Sequence, residues 1–251
     1  MDSNFFPQPL PGELPSRFAD RVGREYASVA GAGHKKDNGQ FFTPVEIAGF
    51  MAASCTFKGK TLRLLDPGCG TAVLSCALIE KLVEQNPALS GIELTAYETD
   101  PQLLQLTRHC LGYLSGWLKE KEVQFSYRLH QDDFILHNAG SLKDSDLFSR
   151  PVDLFDVVIS NPPYFKLSIE DKRAIAGKVV VNGHPNIYAI FMALGARLLK
   201  EGERWIISIC LFRARKPSAG TRCCRKRSFS KERGKTASIR KNPCSSLPRQ
   251  A

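Results

Sequence analysis

A chain of 251 residues with 43% hydrophobic and 24% charged residues is an ordinary soluble composition, long enough for one large domain or two small ones around a substantial core. No apolar run approaches the roughly 20 residues that span a bilayer, and the first 30 residues lack the basic start and apolar centre of a secretory signal, so the cytoplasm is the default expectation. The net charge of +10 suggests a polyanion partner, but residues 201–251 hold 14 Lys and Arg against 3 Asp and Glu, while the rest of the chain is nearly neutral. The eight cysteines, at 55, 69, 76, 110, 210, 223, 224 and 244, show no CxxC pair. Reduced thiols are therefore expected, with no disulfide framework and no metal site.

In chain order, "TLRLLD" (61–66) reads as a short buried strand ending in a carboxylate, and "TAVLSCALIEKLVEQN" as the amphipathic helix that follows. "GIELTAYETD" is a second strand ending in acids. "PQLLQLTRHCLGYLSGWL" opens a helix on Pro101. "VQFSYRLHQDD" alternates like a third strand, and "FDVVIS" (155–160) is a fourth, wholly apolar at its centre. "NIYAIFMALGARLLKEG" is a helix closed by Gly202, and "RWIISICLF" a fifth strand. Strands alternating with helices predict an α/β fold with a doubly wound, Rossmann-like parallel sheet. After Phe212 the apolar period disappears. Two readings account for that stretch: a disordered tail that binds nucleic acid, or an out-of-frame continuation, which the adjacent Cys223 and Cys224 among arginines favour.

In an open parallel sheet a ligand sits outside the carboxyl ends of the strands, near the switch point. The first strand delivers "DPGCGT" there, where Gly68 and Gly70 permit a tight turn and close backbone approach. No lysine follows for a phosphate loop, and the spacing departs from GxGxxG. Glu98 ends the second strand, where an acidic residue accepts hydrogen bonds from ribose hydroxyls; a solvated strand-end charge is the plain alternative. Asp133 and Phe134, in "QDDFIL", suit an adenine amino group and ring, or else form only a polar turn before a core aromatic. Together these residues fit S-adenosylmethionine better than a dinucleotide. "VVISNPPYF" (157–165) adds four strand-forming residues followed by an amide, two prolines and two aromatics, a pattern that holds something rigid.

Taken in order, "NGQFFTPVEIAGFM", "LLDPGCGTAVL", "AYETD", "DDF" and "ISNPPYF" resemble the motifs of the adenine-N6 DNA methyltransferases of bacterial restriction-modification systems. The resemblance covers residues 30–210. Its order, cofactor motifs before NPPY, is that of the gamma class, in which a target-recognition domain follows the catalytic one. It implies an N-terminal extension over 1–30, a methyltransferase catalytic domain over 31–212 and a basic or out-of-frame tail over 213–251, with the chain truncated or frameshifted at that end. It also implies S-adenosyl-L-methionine as cofactor, double-stranded DNA with a flipped adenine as substrate, and a cognate restriction endonuclease as partner.

Residue by residue, the resemblance gives Thr43 and Pro44 to the methionine end of the cofactor, Asp66, Gly68 and Gly70 to the first-strand turn, Glu98 to the ribose, Asp133 to the cofactor's adenine amine and Phe134 to stacking on it. Asn161 and the carbonyl of Pro162 would accept both N6 hydrogens of the target adenine. Consecutive Pro162 and Pro163 hold that carbonyl in place. Tyr164 would stack on the flipped base, with Phe165 lining the same pocket. Transfer is then a direct displacement that needs no metal and no catalytic cysteine. Asn186 and Tyr188 match the family's N-[IL]-Y pattern, and His184 is left as a turn residue. Ala72 stands where the family commonly has Gly, and "KEGER" where it has "KpGG". NPPY also serves methyltransferases of a protein glutamine amide and of RNA adenine, so those substrates, or an inactive cofactor-binding fragment, are the alternatives; "GQFFTP" favours DNA.

Overall fold

The computed structural model describes residues 6–29, 42–142, 154–180 and 185–207, with side chains through residue 200. Five strands, β1 (Thr61–Pro67), β2 (Gly91–Tyr97), β3 (Gln124–His130), β4 (Phe155–Ser160) and β5 (Leu199–Ile207), form one parallel sheet in the order β3-β2-β1-β4-β5. The helices are α1 (Pro15–Val29), α2 (Val45–Ala52), α3 (Val73–Gln85), α4 (Pro101–Lys119), α5 (Phe134–His137), α6 (Lys172–Ala176) and α7 (Ile187–Leu198).

β1, β2 and β4 read as largely apolar runs because both sheet faces are covered there, while the edge strand β3 is exposed or half-buried along its length. Leu62, Leu64, Ile92, Leu94, Val157 and Ile159 point to one side, where α1, α2, α3 and α4 pack on them. Leu65, Phe155 and Val158 point to the other, against α5 and α7. The doubly wound α/β expectation is met. β1 pairs with β2 on one side and with β4 on the other, so the chain switches direction across the sheet at the β1/β4 boundary.

Pro101 sits in the first turn of α4, as its position predicts, and Asp100 caps that helix by accepting from the backbone N–H groups of Gln102 and Leu103. Gly202 does not close a helix. α7 ends at Leu198 and β5 starts at once, with a register shift between the pairs Phe155–Leu199 and Val157–Arg204 that takes up the segment containing Gly202.

Helix α1, inside the segment read as an extension, belongs to the core. Phe18, Val22 and Tyr26, four residues apart on one helix face, are fully buried. The Tyr26 hydroxyl donates to Asp100 at 2.7 Å, Thr71 Oγ1 donates to the Ala19 carbonyl at 2.8 Å, and the Ser16 N–H and hydroxyl both donate to Glu80. These bonds tie α1 to α3, to the turn after β1 and to the end of β2. The four described cysteines, Cys55, Cys69, Cys76 and Cys110, are buried thiols. No helix among the described residues is long and apolar enough to cross a membrane. His184 and the stretch 213–251 lie outside the described residues.

Candidate functional site

A cavity of about 160 Å³ opens at the carboxyl ends of β1, β2, β3 and β4. Of the residues singled out in the sequence, Thr43, Gly68, Gly70, Glu98, Asp133, Phe134, Asn161, Pro163 and Phe165 line it. Four are placed differently. Pro44 precedes α2, Asp66 is fully buried beneath the turn, Pro162 is buried, and Tyr164 packs outside the wall.

The turn after β1 has the backbone that its glycines allow. Gly68 and Gly70 have φ of +97° and +54°. A Cβ at Gly68 would meet only Phe191 at 3.8 Å, so the constraint there is the dihedral, not space. Ala72 also sits in the left-handed region, with φ +67° and ψ +26°, at the start of α3. This is a strained position for a residue with a Cβ. It gives a physical reason for glycine at the equivalent place in the family. The N–H groups of Gly68 and Cys69 donate to the Tyr97 carbonyl, so the turn is braced on the end of β2.

Three acidic side chains stand at the strand ends in different surroundings. Glu98 accepts from the Gly70 N–H at 3.2 Å and from the Asp100 N–H at 2.9 Å. Burial raises its carboxyl above the usual range, partly offset by those N–H groups. Each oxygen keeps a lone pair for a ligand hydroxyl. Asp66 accepts from the Ser75 hydroxyl at 2.6 Å on one oxygen, while the other, Oδ1, is buried without a partner. Burial pushes Asp66 up to about 7. Asp133 caps α5 through Oδ1, accepting from the Ile135 and Leu136 N–H groups, and turns Oδ2 toward Arg173 at 3.7 Å.

Phe134 is buried beside the cavity, edge-on to Tyr97 and tilted against Phe191. The loop after β4 is held from two sides. The Asn161 amide donates from Nδ2 to Thr43 Oγ1 at 3.0 Å, and its Oδ1 accepts from the Tyr164 hydroxyl at 3.2 Å. That pair of bonds holds the amide in place between two hydroxyls, with its oxygen on the Tyr164 side. On the far side, the Leu167 N–H donates to the Pro185 carbonyl and the Ile187 N–H to the Phe165 carbonyl, clamping the loop on the start of α7. Asn186 caps α7 by accepting from the Tyr188 N–H, and the Tyr188 ring stacks on Tyr164 with centroids 5.5 Å apart and planes 20° apart. The N-I-Y pattern thus supplies a helix cap and an aromatic support.

Sequence reasoning missed Phe42, Arg173 and Phe191 in the wall. Arg173 donates to Asp171, leans over the Phe165 ring and faces Asp133. Phe191, a helix residue on the apolar face of α7, looked like core, and nothing local marked Arg173.

A doubly wound parallel sheet with a glycine turn, a buried acid on the neighbouring strand and a crevice at the switch point defines a nucleotide-cofactor α/β domain. The Eco57I restriction-modification methylase family matches residues 94–234, more than half of the sequence, and the chain belongs to that family. It is similar to the type II methyltransferase M.BsuBI of Bacillus subtilis, 31% identical over 183 residues that cover 70% of this chain and 34% of the relative. M.PstI of Providencia stuartii is 27% identical over 168 residues, 65% of this chain and 31% of the relative. M.AccI of Acinetobacter calcoaceticus is 24% identical over 189 residues, 73% and 30%. The chain spans about a third of the length of the curated relatives it matches.

Proposed function

We propose that this chain carries the catalytic domain of a DNA methyltransferase that transfers a methyl group from S-adenosyl-L-methionine to the N6 amine of adenine, as the modification arm of a restriction-modification system. The observation that carries this reading is the Asn161 amide, held by Thr43 and Tyr164 at the edge of a cavity that also contains the glycine turn and Glu98. The residues present fit the cofactor. Glu98 suits the ribose hydroxyls, Asp133 Oδ2 the adenine amine, Phe134 the adenine ring, and the turn at Gly68 and Gly70 admits close backbone approach beside the orphan oxygen of Asp66. Thr43 and Pro44 take the methionine end.

S-adenosylmethionine supplies an electrophilic methyl on a sulfonium centre. Adenine N6 is a poor nucleophile because its lone pair is delocalised into the ring. Asn161 Oδ1 and the Pro162 carbonyl accept its two hydrogens, draw the nitrogen toward tetrahedral geometry and localise that lone pair. An amide already held between two side chains needs little reorganisation when the base arrives. Tyr164, backed by Tyr188, offers its ring to the flipped base, and Phe165 completes the wall. A cytoplasmic location and a cognate endonuclease belong to the same reading.

Labelled cofactor offered to DNA, RNA and protein separately tests it. Label recovered as N6-methyladenine in DNA is the expected result; label on a glutamine amide or in RNA overturns it. Two variants divide the site further. Glu98→Gln is expected to weaken cofactor binding about 10- to 100-fold, because hydrogen bonds to a charged acceptor contribute roughly 1.5–3 kcal/mol; calorimetric titration with S-adenosylmethionine measures it, and unchanged affinity refutes the ribose assignment. Thr43→Val removes the acceptor that holds Asn161, and with it a hydroxyl at the methionine end of the cofactor, and is expected to lower kcat about tenfold in addition to any loss of cofactor affinity. A loss confined to cofactor affinity would restore Thr43 to a purely cofactor-binding role.

A further inference from the structure

We propose that His130, Asp132 and His137 form a binding site for a divalent metal of the zinc class at the carboxyl end of β3. The two imidazoles and the carboxylate each offer one ligand atom, and these atoms lie within 4.8 Å of one another. His137 Nδ1 is 3.1 Å from Asp132 Oδ2, and His130 Nδ1 is 3.9 Å from the same oxygen. Ligands about 2.1 Å from a common zinc stand roughly 3.4 Å apart in a tetrahedron, so shifts of under an ångström close the set. The hydrogen bond between His137 and Asp132 occupies the place that the metal would take.

Preorganisation distinguishes this set from a chance surface cluster. Tyr97, itself buried, stacks on His130 with centroids 4.7 Å apart and meets His137 edge-on at 5.3 Å, so one rigid ring positions both imidazoles. His130 ends a strand, and His137 ends helix α5, whose start is fixed by the Asp133 cap. Asp132 and His137 are exposed, which gives a metal a path from solvent. Two nitrogens and one oxygen suit zinc, nickel or copper better than magnesium or calcium, and a fourth position stays open to water.

Zinc titration of the full chain by calorimetry, followed by the visible spectrum of the cobalt-loaded protein, tests the site. The expected result is one saturable zinc site with micromolar affinity, weakened at least about tenfold in each of His130→Ala, Asp132→Asn and His137→Asn, each variant still melting in one cooperative transition without metal. The cobalt spectrum should show only weak visible bands of nitrogen and oxygen ligation. Zinc affinity unchanged from the parent chain in the three variants, a strong thiolate-to-cobalt charge-transfer band that assigns the metal to cysteines, or no saturation by about 1 mM zinc overturns the proposal.

Discussion

Asn161→Ala is expected to lower methyl transfer to DNA by about 10²- to 10³-fold, the usual loss on removing one preorganised polar group at a reacting centre. Cofactor affinity should change less than about twofold, well under the 1.4 kcal/mol of a tenfold effect. The division follows from placement. Asn161 leaves the end of β4 and is bonded to Thr43 and Tyr164, while the groups suited to the cofactor's ribose and adenine leave the ends of β2 and β3. Asn161→Asp keeps an acceptor in the same volume but lacks the Nδ2 donor that Thr43 holds. It should therefore retain more activity than the alanine variant while showing a changed pH profile. Single-turnover transfer and equilibrium cofactor binding, measured on the same preparations, decide the matter. If Asn161→Ala transfers normally, or loses cofactor affinity in step with activity, the amide is not where the base is activated.

The centre of the sheet was legible because β1, β2 and β4 are short, largely apolar runs buried on both faces and punctuated by chemistry that ends them, and the exposed edge strand β3 because it alternates. "FDVVIS" is β4 residue for residue, and Pro101 marked the start of α4 because proline costs nothing in a first turn. The glycine turn, Glu98 and the loop after β4 converge as their strand-end positions imply. What escaped the sequence has physical reasons. Helix α1 stands outside the strand-helix alternation, and its anchors to Asp100, Thr71 and Glu80 are separated from it by 52 to 74 positions. β5 begins between the adjacent Leu198 and Leu199 with no stop signal before Gly202, which drew the boundary to that glycine. Arg173 and Phe191 reach the cavity only because β4 and α7 bring their segments back to it, and Tyr97, His130 and His137 meet across two adjacent strand ends and a short helix. Long-range convergence of this kind leaves no local period.

Asp66→Asn is expected to stabilise the protein at pH 8 by as much as about 4 kcal/mol, and to have almost no effect near pH 4. The carboxyl is fully buried, with one oxygen bonded to Ser75 and the other without a partner, and burial raises it from 3.8 to about 7. A raised carboxyl binds more protons in the folded chain than in the unfolded one between these values, so its contribution to stability falls as pH rises from about 4 to about 7 and is level above that. A shift of some three units corresponds to about 4 kcal/mol at 1.36 kcal/mol per unit. Glu80, Glu98 and Asp20 are also raised by burial and add slopes of the same sign, so the difference between variant and parent isolates Asp66. Denaturant midpoints of both proteins at pH 4, 6 and 8 measure it, and a difference independent of pH refutes the assignment. An unsatisfied buried charge that costs this much is the kind of feature retained where binding needs it. The stabilised variant should therefore bind S-adenosylmethionine more weakly than the parent. If it binds as tightly, Asp66 serves only the turn above it, and the cost in stability has no return at this site.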